Sequence, residues 1–410
     1  MMQSPLSTVP GSDVYGAGVV RELPAEIALP AWQVLRWVVL WADEGRGSID
    51  GLLNRDALTE CLFDFAGDRP LAPGEDPRAP LIAVAGELIQ PVPDAQIIAR
   101  ACLCMSEWAL PRQHLITGLA FSEAAAFAMP CARYAFLAAK LHRQYGRHVD
   151  ADRLLKVAEK LAREEKDWET NIRVRLARGN VDLLQGDYEQ ARSAILTALR
   201  TCERYRLQGA VVAEAYHDLL VAEAGLKDYA AAVRHAESAM GAYGTDHPRL
   251  PYLTHDLAGM WMELGDYENA LTVLQSLLAR HFLSDPLPRM MVCASAVRAA
   301  AGCGDDATYA RLAGELDLVV SRAGQVTVRH GPALVVAARG AAMAGDAPRL
   351  ERWARQATVW GEQMQQPDVV ADAKSAAHRP APPATARSRV RRNQTLAEKA
   401  VAALADSAAA

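Results

Sequence analysis

The sequence predicts an all-α protein, an α-solenoid of about six to seven helical hairpins behind an N-terminal helical cap. Three observations predict it. A Gly-Asp turn signature recurs at nearly constant spacing, small residues recur at fixed places around it, and apolar residues at helical period fill the segments between. No alternating strand pattern of useful length appears. With 410 residues, 51% hydrophobic and 23% charged, the chain can bury a sizeable core, which excludes global disorder. Its formal charge of −5 is too close to neutral for a protein that coats nucleic acid or a membrane.

In chain order, residues 1–24 read as a flexible N-terminus. Met1 to Val20 lacks a basic region followed by an apolar run of roughly 7–15 residues, so no secretory signal is expected. Residues 25–98 read as a helical cap, since the end of a stack exposes an apolar face that must be covered. One cap helix is rich in tryptophan (Trp32, Trp37, Trp41), one follows an Asn54 cap (Leu58, Leu62, Phe65), and one is opened by Pro80, with a Gly67–Gly74 loop between. The most apolar stretch, Ala31 to Ala42, is 12 residues long and interrupted by Arg36, short of the roughly 20 that a membrane span needs.

The repeats occupy 99–366. The turns are Gly186-Asp187-Tyr188, Lys227-Asp228-Tyr229, Gly265-Asp266-Tyr267, Gly304-Asp305 and Gly345-Asp346; with Gly146, their first residues are separated by 40, 41, 38, 39 and 41. Five residues after the anchor stand Ala151, Ala191, Ala232 and Ala270. Seven before it stand Ala139, Gly179, Ala258 and Ala338, with Leu220 and Val297 bulkier. Small residues at these places let two helices approach closely, while Gly-Asp closes the first helix and opens the second. Leu176, Leu183 and Leu184 before one turn, and Ile195, Leu196 and Leu199 after it, supply the apolar stripe.

These units resemble tetratricopeptide repeats. That family has a small residue at the eighth place, Gly-Asp-Tyr at the fifteenth to seventeenth, and alanines at the twentieth and twenty-seventh. The unit starting at Ile172 matches with Gly179, Gly186-Asp187-Tyr188, Ala191 and Ala198. The unit starting at Pro251 matches with Ala258, Gly265-Asp266-Tyr267 and Ala270, but has Leu277 at the last place. The resemblance covers about 132–365, with a divergent unit at 99–131 (Ser106, Gly118, Ala125, Pro130). It departs from the family in period, near 40 where the usual unit has about 34, which is closer to the repeat arrays of bacterial regulators. The resemblance implies a right-handed superhelix and a structural role for Tyr188, Tyr229 and Tyr267 between hairpins.

Residues 367–410 read as a mostly disordered Ala/Pro/Arg-rich tail. Thirteen of the last 36 residues are alanine, and the segment carries a formal +4, leaving −9 for the rest. Thr395 to Leu404 reads as a marginal helix, near the ~12–15-residue limit for isolated helices. The basic residues there suit either an acidic partner such as nucleic acid or a solubilising end.

Seven cysteines, with no CxxC pair, and Cys102 and Cys104 on opposite sides of a helix, read as small, buried, reduced core residues in a cytoplasmic protein. Asn393-Gln394-Thr395 fits the glycosylation pattern, which means nothing without a secretory route. No phosphate-cradling loop, HExxH pair, nucleophile elbow or dinucleotide fingerprint occurs, so no catalytic residues, metal or cofactor are expected. His247, His255, His281 and His330 mostly flank turns or open helices, where solvated or capping roles are ordinary.

The resemblance also implies that the first helix of each hairpin lines a concave groove through its second, fifth and ninth places. The second places are Arg133, Arg173, Glu214, Tyr252, Met291 and Pro332; the ninth are Lys140, Asn180, Val221, Gly259, Arg298 and Arg339; the fifth include His217 and His255. The candidate groove residues are Arg133, Lys140, Arg143, Arg173, Asn180, His217, His255, Arg298 and Arg339, with the first five forming the most basic end. Such a row suits an acidic or carboxylate-terminated peptide or protein. The same arginines equally suit solvation, or pairing with glutamates of the neighbouring unit. The expected function is a non-enzymatic binding scaffold. Its alternative is a signal-sensing regulator whose array binds a signal peptide or small ligand and controls transcription through a partner.

Overall fold

The computed structural model describes residues 19–43, 77–110, 114–244, 247–279, 286–323, 326–378 and 387–406. Among them every regular element is helical. They belong to two compact units, Met1–Arg143 with Arg147–Asn171, and Gln144–Gly146 with Ile172–Ala410.

The first unit holds α1 (Ala25–Asp43), α2 (Arg78–Leu88), α3 (Ala95–Ala109), α4 (Leu115–Ala128), α5 (Ala132–Gln144) and α6 (His148–Glu165). Trp41 is fully buried at the end of α1. Helices α3 and α4 form a tight hairpin: a Cβ on Gly118 would meet the Leu110 side chain at 2.5 Å, and Ser106 Oγ donates to the Gly118 carbonyl at 2.7 Å. The expected cap–array boundary at 98/99 falls inside α3. Residues 19–24 depart from the expected flexible terminus. Val19 and Leu23 are buried, and the Glu22 carboxylate accepts the backbone N–H groups of Ile116 and Thr117, both at 2.9 Å. An anion at a helix N-terminus answers its unpaired donors and its dipole, which ties this segment down. The expected helix after Asn54 and the Gly67–Gly74 loop lie outside the described residues.

The second unit takes in α7 (Trp168–Leu184) from Ile172 onward, then α8 (Tyr188–Tyr205), α9 (Ala210–Gly225), α10 (Tyr229–Tyr243), α11 (Leu250–Glu263), α12 (Tyr267–Leu278), α13 (Pro286–Cys303), α14 (Asp306–Ser321), α15 (His330–Ala344), α16 (Ala347–Gln363), α17 (Pro367–Ser375) and α18 (Arg387–Asp406). Through α16 these pair as successive hairpins, each closed by one of the repeated turns.

The turns share one geometry. The N–H groups of Asp187, Asp228, Asp266 and Asp346 reach back five residues to the carbonyls of Asp182, Glu223, Trp261 and Ala341, each at 2.9 Å, and Asp305 does the same to Ala300 at 3.1 Å. That six-to-one bond requires a left-handed residue just before the aspartate. Gly186, Gly265, Gly304 and Gly345 supply it with φ between 69° and 78°, and Lys227 adopts φ 64° at the same place. The small residues at the fixed offsets, Ala151, Ala191, Ala232, Ala270, Ala139, Ala258 and Ala338, are all buried. Rings of the turn tyrosines seat on glycines of the next hairpin's first helix: an added Cβ would meet the Tyr188 ring at 2.4 Å from Gly225 and the Tyr267 ring at 2.3 Å from Gly302.

The C-terminal segment corrects the composition-based expectation of a mostly disordered tail. Pro367–Ser375 is α17, a short 3-10 turn follows at Ala376–His378, and Arg387–Asp406 is α18, packed on α12 and α11. Leu396, Ala397, Ala400 and Leu404 form one buried stripe. Tertiary burial of an amphipathic face, absent from a helix in isolation, is what lifts it above the length limit. The expected Ala-Pro disorder at 379–386 lies outside the described residues. Asn393 of the glycosylation pattern is buried. Of the cysteines expected to be buried, Cys102, Cys202 and Cys293 are, Cys131 is half-buried, and Cys104 and Cys303 are exposed; Cys102 and Cys104 stand two apart on α3, so the core takes one and solvent the other. No helix among the described residues is long and apolar enough to cross a membrane.

Candidate functional site

The first helices of the second unit carry polar side chains that link α7 to α9, α9 to α11 and α11 to α13, and again α15 to α17. Asn180 on α7 donates through Nδ2 to Asp218 on α9 at 2.8 Å, and also to the Leu176 carbonyl at 3.0 Å. His217 on α9 places Nε2 3.0 Å from Asp256 Oδ2 on α11. His255 on α11 places Nδ1 3.2 Å from the other oxygen of Asp256, and its Nε2 3.0 Å from Ser295 Oγ on α13. Arg298 on α13 pairs with Glu263 on α11 at 2.9 Å, and Arg339 on α15 with Asp372 on α17 at 2.7 Å.

The register explains why these residues meet. His217 and His255 occupy the fifth place of their units; Asp218, Asp256 and Ser295 occupy the sixth. Each fifth-place imidazole therefore reaches the sixth-place acceptor one repeat further on. Close helix approach supports the line: a Cβ on Gly340 of α15 would stand 2.8 Å from the Arg298 Cα on α13, which leaves room for nothing larger.

Electrostatics follow from these contacts. Burial by itself would push the Asp256 carboxyl up, but hydrogen bonds and charge from His217 and His255 outweigh it and hold the group well below the usual carboxylate range. The Tyr243 hydroxyl, 3.5 Å from His217 Nδ1, is pushed up by burial, with Arg249 opposing. Its ring stacks on His247 at 4.4 Å between centroids. His247 is held below the ordinary imidazole value by burial and by the Arg249 and Arg173 charges. Arg249 in turn reaches Glu214 at 3.5 Å, and the Arg329 guanidinium lies 5.9 Å from the Tyr252 ring centroid.

Of the residues expected to form the groove, Asn180, His217, His255, Arg298 and Arg339 are brought together along this line, each engaged with an acid or hydroxyl of a neighbouring first helix. His217 and Arg298 are buried. Arg173 is half-buried on α7. Arg133, Lys140 and Arg143 lie in the first unit, on α5, the first two exposed and the third half-buried. The charge of Arg143 joins burial in lowering the His148 imidazole. Sequence reading missed the carboxylate half of the line, Asp218, Asp256, Glu263 and Asp372, together with Ser295. The repeated dipeptides His217-Asp218 and His255-Asp256, 38 residues apart, are the signal that carries it.

Ser295, His255 and Asp256 stand in the order hydroxyl, imidazole, carboxylate that activates a nucleophile. Acyl transfer also needs donors free to meet an oxyanion. Ser295 sits inside the continuous helix Pro286–Cys303, whose backbone N–H groups serve its own ladder, and Asp256 is shared with a second histidine. As placed, the three groups fasten helices together. Among the described residues no group of three or more His, Cys, Asp or Glu is arranged to hold a metal ion.

No family model matches this chain, and no curated protein does. Among solved structures it is similar to a Rap protein crystallised in complex with competence and sporulation factor, at 12% identity and a TM-score of 0.48, over 92% of this chain and 99% of that one.

Proposed function

We propose that the chain is a cytoplasmic, non-enzymatic scaffold of tetratricopeptide-repeat type whose first-helix face holds an extended peptide or protein segment bearing carboxylates. The observation that carries this reading is the polar line that links the first helices α7, α9, α11 and α13, and again α15 and α17. A row of donors and acceptors repeating once per hairpin matches a ligand that is itself periodic and extended, where a small ligand is best held by an enclosed, mostly apolar pocket. The cations of the line are already set opposite carboxylates of the chain. A ligand carboxylate binds here by joining or replacing one of these, so its gain is the difference between two charge-assisted bonds, and affinity has to be built from several such places. Arg173 and Arg249 both act on His247, which sets two cationic charges near that imidazole for a ligand carboxylate to meet.

The test is selection of random dodecapeptides with free C-termini on the full chain, repeated on Arg173→Glu. Enrichment of acidic or C-terminally anchored sequences by the wild type, lost on the variant while its helical circular dichroism is unchanged, supports the reading. Enrichment of apolar sequences, or of acidic ones that bind the variant equally, overturns it.

A further inference from the structure

Asp266 behaves differently from the aspartates of the other repeat turns. Asp187, Asp228, Asp305 and Asp346 cap their own second helices, accepting the backbone N–H three residues on at 3.2, 3.0, 3.0 and 3.1 Å. Asp266 makes no such bond. Its two oxygens instead accept from Asn269 Nδ2 at 3.0 and 2.9 Å, and Oδ2 also accepts from Asn393 Nδ2 at 2.7 Å, across 127 residues of sequence. It is buried, whereas the other four are exposed or half-buried.

The second helices differ in the same place. Six residues after each turn anchor stand Arg192, Val233, Leu271, Ala310 and Glu351. Only Val233 on α10 and Leu271 on α12 are large and apolar, and both are buried within the cluster that includes Leu396, Ala397 and Leu404 of α18. The remaining three positions are exposed or half-buried. Helix α18 answers this surface with a single face: Asn393, Leu396, Ala397, Ala400 and Leu404 lie at i, i+3, i+4, i+7 and i+11 and are buried, while Gln394, Thr395, Glu398, Lys399 and Ala402 are exposed. Lys399 adds an edge contact to Glu237 of α10 at 3.8 Å. The helix does not extend the stack past its last hairpin, α15–α16; it returns to a hairpin two repeats earlier.

We propose that the surface of α12 and α11 on which α18 packs, edged by Glu237 of α10, is a recognition surface for an amphipathic helix, with Asp266 reading an asparagine on its buried stripe, and that α18 is its resident, displaceable occupant. Two features make the occupant displaceable. Helix α12, with Ala270, Val273, Leu274 and Leu277 buried, also packs on α11 and α13, so the hairpin beneath does not depend on α18 alone. Among the described side chains of α18 the buried apolar grip is Leu396, Ala397, Ala400 and Leu404, with Val401 partly buried beside them, a short stripe for ordering a 20-residue helix, so this element belongs to the part of the molecule that opens before the rest. A partner for this face presents the same pattern, asparagine followed by small and leucine residues on one stripe, and competes with α18 for it.

The probe is a fluorescein-labelled synthetic peptide of residues 387–406, titrated into the full chain and followed by anisotropy. In Leu396→Glu/Leu404→Glu, whose own helix is disabled, the peptide is expected to bind at least ten-fold more tightly than to the wild type, and adding Asp266→Ala is expected to reverse that gain. Equal binding to wild type and double variant, or no binding to a double variant that keeps its circular dichroism, overturns the proposal. If the double variant does not fold, hydrogen–deuterium exchange of the wild type decides. Amides of 387–406 exchanging at least ten-fold faster than those of α11 and α12 support displacement, and equal protection overturns it.

Discussion

His217 and Asp256 meet at 3.0 Å although they lie 39 residues apart, one repeat length. The carboxylate also accepts from His255 at 3.2 Å, so one residue ties two histidines of consecutive hairpins. An amide at this place keeps one acceptor and turns its other group into a donor facing a second donor. Asp256→Asn is therefore expected to destabilise the second unit by about 1–3 kcal/mol, read as a lower midpoint in urea. Because the Asp256 side chain is 37% exposed, solvent screening puts the expectation at the lower end. The pH dependence has a definite sign. The folded-state carboxyl ionises below the unfolded one, so its contribution is complete above the ordinary aspartate range, about 3.9, and is lost as pH falls toward the folded value. Wild type should lose stability below about pH 4 more steeply than Asp256→Asn.

Gly302 and Tyr267 make the closest approach between one hairpin's turn and the next hairpin's first helix, with Gly225 and Tyr188 repeating it. A methyl group on either glycine would enter the ring, and rings held by their own backbone have little room to retreat. Gly302→Ala and Gly225→Ala are each expected to cost about 1–3 kcal/mol in thermal or chemical unfolding. Tyr267→Ala in the Gly302→Ala background should cost less than the two single changes together, a coupling that a double-mutant cycle reads directly. Additive losses would show that the ring is not the obstacle.

The hairpins were legible because their turns need special residues. A left-handed anchor and a capping aspartate mark the sequence every 38 to 41 residues, and glycine is the residue that such backbone selects. The amide, imidazole and guanidinium half of the polar line was legible from the same register, since Asn180, His217, His255, Arg298 and Arg339 fall at fixed places. Its acceptors were not, because the sixth place looks like ordinary solvated surface until the neighbouring helix is set beside it. The docking of α18 was least legible. Composition around Asn393 reports an alanine-rich basic segment, and nothing local to it points to Asp266, 127 residues away.

Lys227 stands where the other acidic turns have glycine, and its backbone takes the same left-handed conformation, φ 64°. For an L residue with a Cβ this region costs about 1–2 kcal/mol, part of which glycine returns through greater freedom of the unfolded chain. Lys227→Gly is expected to stabilise the chain by about 0.5–1 kcal/mol, and Lys227→Val, β-branched, to destabilise it by more than that. Paired urea titrations test both; a neutral glycine variant would mean that Lys227 gains from its side chain what it loses in backbone.

Glu123 and His142 form a buried pair in the first unit, 2.9 Å apart, with side-chain exposures of 2% and 0%, and Arg153 lies 3.3 Å from the second carboxylate oxygen. Burial alone would raise the Glu123 carboxyl; the His142 and Arg153 contacts overcome it and lower the group. Removing one partner leaves the others without compensation, so Glu123→Ala is expected to cost about 3–5 kcal/mol. Replacing both, as in Glu123→Leu/His142→Phe, removes the desolvation as well as the attraction and should cost much less than Glu123→Ala. The lowered carboxyl contributes fully above the ordinary glutamate range, about 4.3, and its contribution fades as pH falls toward the folded value. The doubly apolar variant should therefore keep more of its neutral-pH stability in acid than the wild type does. Equal acid sensitivity of the two would assign the acid limb to other carboxylates, with Asp256 first among them.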